Sequence, residues 1–141
     1  MIYITSDHAG FELKNILVAW FQKSNKEFED LYPEFIEADD YPDRAKELAT
    51  KLKENSKAKG IAICGTGVGI CIALNRYTWI RAVLSPKREI VRLSRQHNDS
   101  NIICLAGKYT THKKAIAIVK VFLNTPFIKE ERHTRRLSKI S

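Results

Sequence analysis

Cys64-Gly65-Thr66-Gly67-Val68-Gly69 places a thiol, a hydroxyl and three glycines within six consecutive residues. That set can cradle an anion and move a proton. Ahead of it, Gly60-Ile61-Ala62-Ile63 is a short apolar run of the kind that forms an inner strand of a parallel sheet. After it, the apolar residues resume at Ile70 and carry a helix through Leu74. The strand therefore delivers Cys64 to its carboxyl end, and the turn opens a helix whose first N–H groups lack intrahelical partners. A thiol held there feels the positive end of the helix dipole, which favours the thiolate. A plainer alternative stays open, because such turns are common in α/β proteins and a Cys often serves as a small hydrophobe. Other motifs fail on spacing. A dinucleotide fingerprint needs glycine where Ile70 stands, a P-loop needs Gly-Lys-Ser/Thr, and a cysteine phosphatase loop needs arginine at Ile70. Cys64 and Cys71 lie too far apart for a CxxC pair.

The elements that must position this turn follow from periodicity. Ile2-Tyr3-Ile4-Thr5 reads as a first strand, with Ser6-Asp7-His8-Ala9-Gly10 as the turn after it. Phe11, Leu13, Ile16, Leu17, Trp20 and Phe21 recur at helical spacing. Residues 26–31 read as a second strand and residues 32–43 as a polar, acidic loop containing Tyr41; Ala45, Leu48, Ala49 and Leu52 mark the next helix. Residues 80–84 read as strand four, and Ser85 and Pro86 as the cap and first residue of a helix reaching about Arg95. His97-Asn98-Asp99 then forms a polar turn ahead of strand five, residues 101–106, and a last periodic helix ends near Leu123. A basic tail occupies about 125–141. Strands alternating with helices at this rhythm predict a three-layer, doubly wound, Rossmann-like α/β domain spanning 1–141, with a five-stranded parallel sheet. Ligands in such folds bind at the carboxyl ends of the strands, where the chain order reverses. If strands one and three are neighbours, Asp7, His8 and Cys64 share one crevice.

Composition narrows the function classes. The chain has 141 residues and three cysteines, too few and odd in number for a disulfide framework, so a reducing cytoplasm is expected. No basic segment precedes an apolar one at the start, and the apolar run from Gly60 to Leu74 is broken by glycines, short of the ~20 residues of a membrane span. The formal net charge is +8. Of 24 basic and 16 acidic side chains, the first 50 residues hold 5 and 11, leaving 19 and 5 for the rest. This asymmetry suits a phosphorylated small substrate or complementary subunit faces. Nucleic acid is disfavoured because the basic residues are scattered and not interleaved with aromatics in one stripe.

Five segments together give the sequence a family likeness: Ser6-Asp7-His8-Ala9-Gly10-Phe11-Glu12-Leu13-Lys14, Asp40-Tyr41-Pro42, Cys64-Gly65-Thr66-Gly67-Val68-Gly69-Ile70, Ser94-Arg95-Gln96-His97-Asn98-Asp99, and Arg132-His133 followed by Arg136. The sequence resembles the type B ribose-5-phosphate isomerases, within the ribose/galactose isomerase family. The resemblance implies a cofactor-free, metal-free interconversion of ribose 5-phosphate and ribulose 5-phosphate through an enediolate. It implies Cys64 as the base between C2 and C1, with Thr66 and the backbone of Gly65, Gly67 and Gly69 holding the oxyanion, helped by Asn98. Some family members carry a glutamate where Ile70 stands, which favours Cys64 here. His97 would open the sugar ring, a role suited to its pKa, although a helix-terminal His capping carbonyls is the plainer alternative. Asp7 would bind sugar hydroxyls or cap a helix, and Tyr41 would line the pocket.

His8, Arg132 and Arg136 would hold the phosphate, the two arginines four residues apart on one helical face. At Lys108 the family usually has arginine; lysine keeps the charge and loses the fork. His112, His133, Cys71 and Cys104 are read as surface or core positions without chemistry. The resemblance further implies a homodimer, or a tetramer made of two, with each site between subunits. Two rivals remain: a six-carbon phosphosugar as substrate, and a phosphate- or nucleotide-binding module in which the thiol has no role.

Overall fold

The computed structural model describes residues 1–140. β1 (Ile2–Ser6) leads through a 3-10 turn (His8–Gly10) into α1 (Phe11–Lys23). There follow β2 (Phe28–Asp30), α2 (Tyr41–Glu54), β3 (Lys59–Cys64), α3 (Val68–Leu74) and β4 (Ala82–Leu84). The chain closes with α4 (Arg88–Asn98), β5 (Ile102–Ala106), α5 (His112–Asn124) and α6 (Glu131–Ser138). All strand pairs are parallel and the order across the sheet is β2-β1-β3-β5-β4. The five-stranded α/β expectation holds, and β1 does lie beside β3.

Each face of the sheet buries its own core, as alternation along β3 requires. Ala62 and Cys64 face one way, with Leu48 and Ala49 of α2 and Ile70 and Leu74 of α3. Ile61 and Ile63 face the other, against Leu13, Leu17 and Phe21 of α1, Val91 of α4 and Val119 and Phe122 of α5. The spacing of the α1 residues at i, i+4 and i+8 turns one stripe of that helix inward. Because β2 pairs on one side of β1 and β3 on the other, the chain order reverses between β1 and β3. Residues at their carboxyl ends line the crevice this reversal opens.

Three expectations are corrected. The helix after β4 starts at Arg88 and runs to Asn98: Ser85 and Pro86 stay in the preceding turn, where Ser85 Oγ accepts the Lys87 N–H at 3.1 Å. His97 and Asn98 therefore sit in the last helical turn, and the chain stops at Asp99 in a left-handed conformation with φ 45°. Tyr41, expected in the acidic loop, is the first residue of α2, with Pro42 behind it, where a missing N–H costs nothing.

Candidate active site

The Cys64 turn is shaped by close backbone approaches. Gly67 has φ 76°, and a Cβ there would stand 2.7 Å from Leu84 Cδ1 and 3.0 Å from the Leu105 carbonyl carbon. Only glycine meets both demands without strain. Gly10 lies against β3 so tightly that a Cβ would come within 2.6 Å of the Ile63 carbonyl oxygen. The loops after β1, β3 and β5 are then tied by hydrogen bonds: Asp7 N–H to Ile63 O at 3.1 Å, Gly107 N–H to Cys64 O at 2.8 Å, and Lys108 N–H to Gly65 O at 3.1 Å. These bonds hold Asp7, Cys64 and Lys108 at one edge.

Cys64 is 4% exposed and Asp7 5%, so both sit at the floor of the crevice. Asp7 Oδ1 accepts the Gly10 N–H at 3.0 Å, which makes it the cap of the short turn and fixes its carboxylate. Burial raises the Asp7 carboxyl above its ordinary value, opposed by the Gly10 hydrogen bond and the His8 charge. Thr66 is exposed, and its Oγ1 accepts the Val68 N–H at 3.3 Å. Among the described residues, the Thr66 and Gly67 N–H groups donate to no protein acceptor. They remain open to an oxyanion. The Tyr41 ring covers Gly69 closely enough that a Cβ there would lie 2.6 Å from Tyr41 Cζ. Tyr41 is thus a wall beside the turn, with Gly69 making room for it.

His8 is set by a residue that the sequence did not single out. Asp39 Oδ1 accepts the His8 backbone N–H at 2.8 Å and lies 3.0 Å from His8 Nδ1. This hydrogen bond raises the His8 pKa and makes the ring a better cation. Asp39 itself lies 3.9 Å from Arg44 Nε. A run of acidic residues does not reveal which carboxylate folds back, so nothing in the sequence distinguished Asp39 from its neighbours.

The remaining residues lie elsewhere. α4 runs back down the sheet, so His97 and Asn98 end near the start of β5, where Asn101 bonds to Gly60 and Arg81. Cys64 pairs at the other end, with Ala106. The six-residue β3 separates these levels by roughly 17 Å at ~3.3 Å per residue. The structure therefore brings together Asp7, His8, Tyr41, Cys64, Gly65, Thr66, Gly67, Gly69 and Lys108, and separately His97, Asn98, Arg132 and Arg136. Within one chain the two sets do not meet.

In the second set, the His97 ring stacks on His133 with centroids 4.5 Å apart and planes 16° apart. His133 is 4% exposed, and its pKa is lowered by burial, then by the charges of His97 and Arg132. The basic tail carries a helix, α6, and the segment before it is tied to α4 by the Ile128 N–H to Gln96 O bond at 3.0 Å. Arg132 Nε pairs with Glu130 Oε2 at 2.8 Å. Asn98 also lines a cavity of about 500 Å³ with Tyr77, Ile80, Leu137 and Ile140. Cys104 is fully buried in β5 and Cys71 half-buried on α3, consistent with packing roles.

The sequence pattern of the ribose/galactose isomerase family matches residues 2–140. The chain belongs to this family. A probable ribose-5-phosphate isomerase B of Mycoplasma pneumoniae is 41% identical over 140 residues, covering 99% of this chain and 91% of the relative. Among solved structures, a ribose 5-phosphate isomerase from Thermotoga maritima superposes with a TM-score of 0.94 at 43% identity, covering 99% of this chain and 95% of the other. Ribose-5-phosphate isomerase B of Mycoplasma genitalium, solved with bound ribulose 5-phosphate, gives 0.91 at 41% identity, covering 99% and 92%. The family resemblance and the α/β fold expected from sequence are both borne out by these matches.

Proposed function

We propose that this protein is a sugar-phosphate isomerase that interconverts ribose 5-phosphate and ribulose 5-phosphate, the pentose step expected of its family. The observation that carries the reading is the Cys64 turn at the β1/β3 reversal, with a buried thiol, two open N–H donors and the capping Asp7 carboxylate around one crevice. The likeness to an isomerase solved with bound ribulose 5-phosphate supports it.

In this reading the opened aldose lies with C2 over Cys64. The thiolate takes the C2 proton, electrons move to the C1 carbonyl, and the resulting enediolate accepts hydrogen bonds from the Thr66 and Gly67 N–H groups and the Thr66 hydroxyl. Preorganised donors of this kind are often worth ~3 kcal/mol each. The O2 hydroxyl proton passes to O1, and return of the first proton to C1 then yields the ketose. Two protons move, one between the carbons and one between the oxygens, and the sugar is neither oxidised nor reduced overall, so the steps call on no redox group. Asp7 and Tyr41 hold and wall the sugar; His8 and Lys108 face its phosphate.

Ring opening requires His97, which one chain cannot bring to its own Cys64. The site is therefore completed by His97, Asn98, Arg132 and Arg136 of the partner subunit in a homodimer. An exposed apolar strip supports pairing beside the turn: Val68 and Ile72, one helical turn apart on α3, are 49% and 62% exposed. Two such dimers could join as a tetramer. None of the described helices is long and apolar enough to cross a membrane, and a cytoplasmic enzyme acting on a phosphorylated pentose, with no nucleic-acid partner, is the consistent setting.

The test is Cys64→Ala in a coupled assay on ribose 5-phosphate. Turnover should fall by at least about a hundredfold, as for loss of a general base, with inorganic phosphate still inhibiting at nearly the parent's concentration. Unchanged turnover removes the thiol from the mechanism, whereas a parent protein that does not turn over ribose 5-phosphate at all leaves a phosphate-binding module.

A further inference from the structure

A cavity of about 540 Å³ opens at the carboxyl edge between the first turns of α1 and α5, lined by His8, Glu12, Gly107, Lys108 and His112 among others. Its floor is closed by the contact of the β5 and β1 loops, where a Cβ on Gly107 would stand 2.9 Å from Gly10 Cα. It also adjoins the Cys64 turn, because the Lys108 stem passes beside Gly65, with Cδ 3.9 Å from where a Gly65 Cβ would be. We propose that His112 is a further phosphate-binding residue of this site, closing from the α5 side a pocket for the substrate's phosphomonoester group. This deepens the isomerase reading and rests on it.

Three observations converge on His112. First, three different segments each contribute one residue with a nitrogen-bearing side chain to the cavity lining: His8 from the turn after β1, Lys108 from the loop after β5, and His112 from the start of α5. Glu12 is the single carboxylate among the lining residues. It opposes an anion, so the pocket needs more than one cation to favour a phosphate. His8 is already biased toward the cation by Asp39. Second, Lys108 supplies a point charge without the planar fork of an arginine, so it cannot hold two phosphate oxygens in fixed geometry. A ring N–H from His112 provides a second, directed donor at the same wall.

Third, His112 is exposed and is the first residue of α5, preceded by its cap Thr111, whose Oγ1 accepts the Lys114 N–H at 3.3 Å. The imidazole makes no hydrogen bond or ion pair among the described residues. A solvent-facing ring with no internal partner, on the rim of a basic pocket next to the reacting turn, is available to a ligand. The substrate would lie with its carbonyl end at Cys64 and its phosphate under Lys108 and His112. The partner's arginines would cover the phosphate from outside.

Two variants and one titration test this. His112→Gln should raise the KM for ribose 5-phosphate about fivefold to tenfold, the loss expected for one hydrogen bond of ordinary strength in a solvent-exposed pocket, while kcat moves far less. His112→Lys should bring KM back to within about twofold of the parent, which a merely structural histidine would not do. In the unaltered protein, nuclear magnetic resonance of the histidine rings during titration with inorganic phosphate should move the His112 signals together with those of His8, saturably. Because His112 is exposed, unchanged melting of His112→Gln separates a binding loss from misfolding. A KM for His112→Gln within twofold of the parent, or a His112 ring that stays still while that of His8 shifts, overturns the proposal. Should the unaltered protein fail to turn over ribose 5-phosphate at all, the isomerase reading falls, yet the phosphate titration still decides whether His112 binds the anion.

Discussion

At the carboxyl edge of the sheet, Asp7, Cys64 and residues 65–69 are held by the backbone itself: loop-to-loop hydrogen bonds, a left-handed glycine, and approaches that leave no room for a Cβ. At the amino edge, His97, Asn98, Arg132 and Arg136 ride on the ends of α4 and α6, and side chains fix them: the His97–His133 stack and the Arg132–Glu130 pair. In the first region Asp7, Cys64 and Gly67 are buried and the backbone is tightly fixed. The second is more exposed, helix-borne and aimed away from its own Cys64. The contrast suits a division of labour in which one edge fixes the reacting atoms and the other reaches across to a neighbour. Reaction geometry tolerates little misplacement, whereas a long arginine on a helix can adapt to a phosphate.

This contrast predicts unequal sensitivity to small changes. The largest effect should come from Gly67→Ala. The new residue would carry a left-handed conformation costing about 1–2 kcal/mol and collide with Leu84 and Leu105, adding about 1–3 kcal/mol of overpacking. The melting temperature should drop by roughly 5–15 °C, and kcat should fall with it because the oxyanion donors shift. A melting temperature within about 2 °C of the parent would mean that this edge is not held as tightly as its geometry implies.

The smallest effect should appear at the amino edge, as a pH dependence. His133 resists protonation when folded because it is buried and faces His97, Arg132 and Arg136, with only Glu130 in opposition. The unfolded chain then takes up that proton first as the pH falls below about 6.5. Stability at this position is full above that value and declines through the window down to the lower folded pKa. His8 works in the opposite sense, since its raised pKa adds stability in acid that is lost as the pH rises. The two are separated by His133→Phe, which keeps an aromatic ring on His97. Its melting temperature should fall less than the parent's between about pH 7.5 and 5.5, and equal slopes would show that His133 takes no part in acid sensitivity.

How much of this was legible in the sequence depends on how local each signal is. The Cys64 turn was readable because strand, glycines and helix follow one another without interruption, and the α/β alternation supplied the parallel sheet. Tyr41 reads as loop because Pro42 looks like a breaker, although proline in a first turn costs the helix nothing. The α4 boundaries are not legible at either end. Ser85 and Pro86 look like a cap and first turn but serve the loop before it, and the helix stops at Asp99 without a glycine to announce the end. Asp39 escapes notice for a different reason. It has no periodic or motif signal, and only the fold brings it to His8. The same holds for the separation of His97 from Cys64, which follows from helix direction and not from residue types.

The central claim is that one site joins Cys64 of one chain to His97 of another. It is tested most directly by mixing two disabled chains. Cys64→Ala and His97→Asn, each assayed alone on ribose 5-phosphate, should be strongly impaired. Refolded together in equal amounts, they should form mixed dimers in which one of the two symmetric sites carries no substitution, and activity should return to about a quarter of the parent's. A mixture no more active than its components, with mixed dimers verified by mass, would contradict the shared site.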